Sequence, residues 1–137
     1  MGDNIKLAVV GSRRFKPLNL VDEYLTKLLW REFEQTGDGY TTSDEGESFN
    51  EVKDHLYILT GGAEGVDKQA EDWCKRNLVS CEVIRPLTNR PIYYLHRNVE
   101  ILTKADAVVA FWDGSSKGTK FVIDYCKGRN KPLRVIK

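Results

Sequence analysis

Leu59-Thr60-Gly61-Gly62-Ala63-Glu64-Gly65-Val66-Asp67 joins a short apolar segment, His55 to Leu59, to a stretch of helical spacing, Val66 to Asn77. Glycines at 61, 62 and 65 let the backbone turn sharply and come close to a ligand. The helix that follows aims its unpaired N–H groups into the same turn, an arrangement that favours anions. A strand, a glycine turn and a helix in that order predict a phosphate seat in an α/β fold. Neither familiar phosphate fingerprint is matched: no Lys-Ser/Thr follows the glycines, and their spacing is not G-x-G-x-x-G.

Outward from this junction the chain alternates strand and helix. Ile5 to Val10 reads as a buried strand, followed by the loop Gly11 to Pro17 and an amphipathic helix over Leu18 to Gln35. The strand His55 to Thr60 leads to a helix from about Glu64 to Asn77, then a strand at Cys81 to Arg85. Pro91 to Lys104 is a helix with proline in its first turn. Ala107 to Trp112 is a continuous apolar run, as expected for a strand covered on both faces. A helix from about Thr119 to Lys127 and a strand at Lys131 to Ile136 complete the pattern. It predicts a single α/β domain over residues 1–137, about five mostly parallel strands with helices on both faces. Ligands of such sheets bind beyond the carboxyl ends of the strands, where strand order reverses. Gly11-Ser12-Arg13, Gly61-Gly62 and Asp113 to Thr119 all fall at such ends, so one pocket built by three loops is expected.

Composition narrows the classes. At 137 residues, 41% hydrophobic and 30% charged, the chain can bury a substantial core. The net charge of +1, without a basic stripe interleaved with aromatics, argues against nucleic acid as a partner. Three cysteines without C-x-x-C spacing and two histidines far apart suggest neither a disulfide framework nor a metal site, and no cofactor is expected. With no apolar leader and no bilayer-length run, the chain reads as cytoplasmic, with no membrane partner. Asp38, Asp44, Glu45, Glu47, Glu51 and Asp54 face one Lys53, so the rest of the chain is net positive. The acidic stretch at about 37–52, rich in small polar residues, predicts an exposed, mobile insertion, either a solvated loop or a lid.

Several motifs together carry a family resemblance: Gly11-Ser12-Arg13-x-Phe15, Thr60-Gly61-Gly62-Ala63-x-Gly65-Val66-Asp67, His96-Arg97-Asn98, and Ala105 to Trp112 with Ser116-Lys117-Gly118-Thr119. They resemble the YspA/YpsA-related branch of the SLOG superfamily, which also holds the LOG phosphoribohydrolases and the Smf/DprA Rossmann domains. The resemblance spans nearly the whole chain apart from the acidic insertion. It implies a Rossmann-like fold, a nucleotide or nucleotide-derived ligand, and a homodimer, since relatives often dimerise. It does not decide between a sensor or carrier and an enzyme cleaving an N-glycosidic bond. The phosphoribohydrolases carry P-G-G-x-G-T-x-x-E; here Val122 stands where that Glu would be. Asp124, two residues on, is turned away by roughly 200° on a helix.

Candidate site residues follow. Gly11, Ser12 and Arg13 form the first loop, with Arg13 suited to a phosphate or ribose and Arg14 read as surface. Gly61, Gly62 and Gly65 either hold phosphate or only permit tight packing. Ser116, Gly118 and Thr119 offer small donors at a helix start, either a phosphate cradle or an N-cap. Asp67 and Asp113 either favour a helix N-terminus or hold a ribose hydroxyl. Arg97 and Asn98 come from the resemblance; His96 reads as structural. Trp112, Tyr93 and Tyr94 read as core rather than as stacking partners for a base. No catalytic residue is assigned. A phosphate is expected across Gly61-Gly62 and Ser116 to Thr119, countered by Arg13 and Arg97. On this reading Gly62→Val blocks binding and spares the fold.

Overall fold

A computed structural model of the chain describes residues 5–35 and 56–137. The acidic stretch expected to be an insertion lies outside these residues. In chain order the elements are β1 (Ile5–Gly11), α1 (Asn19–Gln35), β2 (Leu56–Thr60), α2 (Val66–Asn77) and β3 (Ser80–Val83). α3 (Pro91–Lys104), β4 (Ala107–Phe111), α4 (Lys117–Gly128) and β5 (Leu133–Ile136) follow. The five strands form one parallel sheet in the order β3-β2-β1-β4-β5. This is the α/β architecture read from the sequence.

The alternation of side chains along β1 builds two cores. Leu7 and Val9 face Val21, Leu25 and Leu29 of α1 and Val66, Ala70 and Trp73 of α2. Ala8 and Val10 face the other way, onto Ile101 and Leu102 of α3 and Val122, Ile123 and Cys126 of α4. A strand buried on both faces needs no polar residue, which is why IKLAVV and AVVAF are almost wholly apolar. Trp73 Nε1 donates to Thr26 Oγ1 at 3.0 Å, and Asp22 accepts from Gln69 and Arg76, tying α2 to α1.

Differences from the expected boundaries have local causes. β3 ends at Val83, so Arg85 lies past the strand rather than in it. α4 starts at Lys117, two residues early, because Ser116 is already its cap. α2 starts at Val66 because Gly65, at φ 83°, breaks the helix before it. From β1 the chain winds outward through β2 and β3, then crosses back to β4 on the other side of β1. Strand order thus reverses between β1 and β4, and the crevice at their carboxyl ends is the switch point. No described helix is long and apolar enough to cross a membrane.

Candidate functional site

The crevice is held open by Ser12, which is fully buried. Its N–H donates to Phe111 O at 3.0 Å, and its Oγ accepts the Asp113 N–H at 3.1 Å and lies 3.4 Å from Thr119 Oγ1. One small hydroxyl thereby joins the end of β1, the end of β4 and the first turn of α4. Gly11 is needed for the same junction: a Cβ there would lie 2.6 Å from Val66 Cβ and 2.7 Å from Phe111 O.

Asp113 folds its own loop. Its Oδ1 accepts the N–H groups of Ser115 at 2.9 Å and Ser116 at 2.8 Å. Those two backbone bonds, then a contact from Ser12, hold its carboxyl below the usual range. Ser116 caps α4, its Oγ accepting Thr119 N–H at 3.4 Å. The N–H groups of Lys117 and Gly118, in the first turn, have no intrahelical partner. Both residues line the crevice.

The glycine loop after β2 makes room for arginines. A Cβ on Gly61 would sit 2.5 Å from Arg97 Nη1, and one on Gly62, at φ 76°, 2.5 Å from Arg85 Nη1. A Cβ on Gly65 would strike the backbone of Arg13 at 2.6–2.9 Å. Arg97 Nη1 donates to Gly61 O and its Nε to Asn98 Oδ1 at 2.9 Å. Arg85 Nη1 donates to Gly62 O at 3.3 Å. A valine at Gly62 would therefore disturb Arg85 and strain the backbone, so it is no fold-neutral probe.

Beneath this loop lies a buried pair of opposite charges. Asp67 is 5% exposed and Arg97 9%. Asp67 Oδ2 accepts Ala63 N–H at 3.3 Å, while its Oδ1 is buried with no hydrogen-bond partner among the described residues. Burial lifts the Asp67 carboxyl to about 6, against the pull of Ala63 N–H, the Arg97 charge and nearby Gly61 and Thr60. Thr60 Oγ1 is close enough to add to that pull, yet among the described residues it too has no hydrogen-bond partner. Burial also lowers the Arg97 pKa; Asp67 and Tyr94 oppose this, and neighbouring Arg13 adds to it.

The expected single pocket is two adjoining clefts. The larger, about 630 Å³, takes in Gly11, Arg13, Asp67, Arg97, Asn98, Asp113, Ser116, Gly118 and Thr119. Val10, Leu95, Ile101, Phe121 and Val122 give the same cleft an apolar lining. The smaller, about 300 Å³, holds Gly61 and Gly62 with Arg85, Thr88 and Asn89. Arg13, Ala63, Tyr94 and Arg97 line both. The guanidinium carbons of Arg13 and Arg97 lie 5.9 Å and 5.4 Å from the Tyr94 ring centroid. Ser12 and Gly65 lie behind the walls and position them. His96 is exposed, edge-on to Tyr93, and lines neither cleft.

Lining residues that the sequence reading places elsewhere include Arg14 at the surface, Arg85 in a strand and Tyr94 in the core. For Arg85 and Tyr94 the only signal was a position just after a strand or in the first turn of a helix, and that is weak. Val122 lines the larger cleft where a LOG-type acid would stand, while Asp124 pairs with Lys120 at 2.8 Å on the exposed side of α4.

No protein-family model and no curated protein matches the chain. Solved structures do. DNA processing protein A (DprA) from Streptococcus pneumoniae superposes with a TM-score of 0.68 at 14% identity, over 98% of this chain and 50% of that one. DprA from Helicobacter pylori, described for its single-stranded DNA binding mode, gives 0.65 at 19%, over 97% and 65%. TM1055, a structural-genomics target, gives 0.55 at 22%, over 94% and 72%. The chain thus spans about half the length of the Streptococcus protein. These neighbours correct one expectation, that nucleic acid is an unlikely partner. A near-zero net charge says little about a local surface, and a protein of this fold binds single-stranded DNA. The chain has the Rossmann-like α/β fold of these structures.

Proposed function

We propose that the chain binds a phosphorylated nucleotide or nucleotide-derived small molecule in the larger cleft, acting as a sensor or carrier. One observation carries this: a helix N-terminus, Arg13 and a set of apolar side chains line one cleft of about 630 Å³, a size usual for small-molecule sites. The phosphate rests on the N–H groups of Lys117 and Gly118 with Arg13 as counter-charge. The base lies against Leu95 and Phe121, and Asn98 or Asp67 takes a ribose hydroxyl. Val122 in place of an acid favours binding over glycosidic cleavage. The motif resemblance supports placing the chain in the YspA/YpsA-related branch. The likeness to DprA favours a second reading, in which the same seat takes a phosphate of a single-stranded nucleic acid.

Gly118 supplies the probe that Gly62 does not. Nothing lies within 4 Å of a Cβ built there, so Gly118→Val starts from open space and crowds the anion seat. Ligand-observed proton NMR with AMP, ADP-ribose, NAD and hexathymidylate should show line broadening with the wild type. The broadening should be lost with Gly118→Val at unchanged melting temperature. Absence of broadening for every ligand, or equal broadening by the variant, rejects the proposal. Asp113 places a negative charge at this same helix start. Asp113→Asn keeps the loop's acceptor and should raise AMP affinity several-fold at low salt, with the gain fading as salt screens it. Calorimetry at two ionic strengths reads this, and unchanged affinity places the phosphate elsewhere.

A further inference from the structure

The smaller cleft has no role in the mononucleotide site, yet it gathers cationic side chains. Arg85 stands at its rim, and Arg13 and Arg97 reach it from the shared wall. Among the described residues, none of these three has a carboxylate within 4 Å to form a salt bridge. Arg13 is near enough to Arg97 to disfavour its charge. Asp67 acts on Arg97 from behind the glycine loop without forming a salt bridge, and like charges crowded this way are relieved further by a bound anion. The hydroxyl of Thr88 and the amide of Asn89 line the same space and add neutral donors. Arg85 is exposed and already oriented by its bond to Gly62 O.

We propose that this groove is a second anion subsite, so that the ligand carries two separate phosphates, one on each side of Tyr94. This rests on the nucleotide reading of the larger cleft and extends it. The two clefts share the wall of Arg13, Tyr94 and Arg97, so one molecule can cross from one to the other over the tyrosine ring. The first phosphate sits at Lys117 and Gly118, the nucleoside lies at Tyr94, and the second phosphate meets Arg85. The ligand class is a nucleoside with anionic groups at two ends, whether a free bisphosphate or dinucleotide or part of a short strand.

Calorimetric titration of adenosine 3′,5′-bisphosphate and of AMP into the full chain tests this. The wild type should bind the bisphosphate about tenfold or more tightly than AMP, as expected for one added charge-assisted contact. Arg85→Gln should abolish that preference and leave AMP affinity unchanged, whereas Gly118→Val should weaken both ligands. Equal affinity of the wild type for the two ligands, or a bisphosphate preference surviving Arg85→Gln, overturns the second subsite. If AMP fails to bind while the bisphosphate depends on Arg85 alone, the first seat falls and the second stands. Competition by hexathymidylate separates the two sources. Displacement of the bisphosphate in the wild type but not in Arg85→Gln means a strand uses the groove, and no displacement means a free nucleotide does.

Discussion

Gly65→Ala should destabilise the protein by about 2–6 kcal/mol, a large part of the stability usual for a domain of this size. Two costs combine. At φ 83° an alanine is in a backbone region that side chains avoid, at about 1–3 kcal/mol. Its Cβ would also lie 2.6 Å from Arg13 O and 2.8 Å from Arg13 Cα, backbone atoms that cannot rotate away. Overpacking of that kind adds about 1–3 kcal/mol. Urea denaturation gives the number, with Gly118→Ala as the control. Gly118 lies within the first turn of α4 in open space, so alanine there should be neutral or stabilising by up to about 1 kcal/mol. A loss below about 1 kcal/mol for Gly65→Ala would mean that Arg13 does not lie under this glycine. Because Arg13 lines both clefts, its displacement should also weaken AMP binding.

That contrast shows what was legible in the sequence. The sheet was, because burying a strand on both faces leaves a one-dimensional mark, a run such as Val108 to Phe111 with no polar residue. The glycine turn was too, since few residue types permit it. Its purpose was not. Glycine next to a phosphate and glycine next to an arginine read alike, and only the tertiary fold brings Arg97 from α3 and Arg85 from beyond β3 against Gly61 and Gly62. Asp113 is a similar case. A carboxylate at a helix start is compatible with a ribose or with its own loop, and the bonds to Ser115 and Ser116 exist only once the loop is folded. Arg85 and Tyr94 were missed because a site wall made by exposed and half-buried side chains leaves no periodic pattern. Net charge failed as a guide to nucleic acid for the same reason, since the sum over a chain hides where arginines meet.

Arg97→Met should cost about 3–5 kcal/mol at pH 8 and clearly less at pH 5. The guanidinium holds Gly61 O and Asn98, and its charge favours the Asp67 carboxylate, one oxygen of which has no partner among the described residues. Methionine fills much of the same volume, so lost packing is a minor part of the change. What remains is a buried carboxylate without its cation, and its pKa must rise beyond the value of about 6 that burial already gives it. The sign follows from linkage. A carboxyl whose folded pKa lies above its unfolded value near 3.8 binds its proton more tightly when folded. It therefore adds stability that is complete below about pH 3.8 and is lost as pH rises through about 6. Removing Arg97 moves the upper end of that window higher, so the variant keeps losing stability at pH values where the wild type has levelled off. At pH 5 the variant's Asp67 is protonated and the charge penalty largely disappears, leaving the lost hydrogen bonds. Asp67→Asn in the Arg97→Met background should flatten the pH dependence and recover part of the loss at pH 8. Urea midpoints across pH 5 to 8 for the wild type and both variants check this. A penalty equal at both ends of that range would mean that Arg97 acts only by holding the glycine loop, and that the Asp67 charge plays no part in the fold.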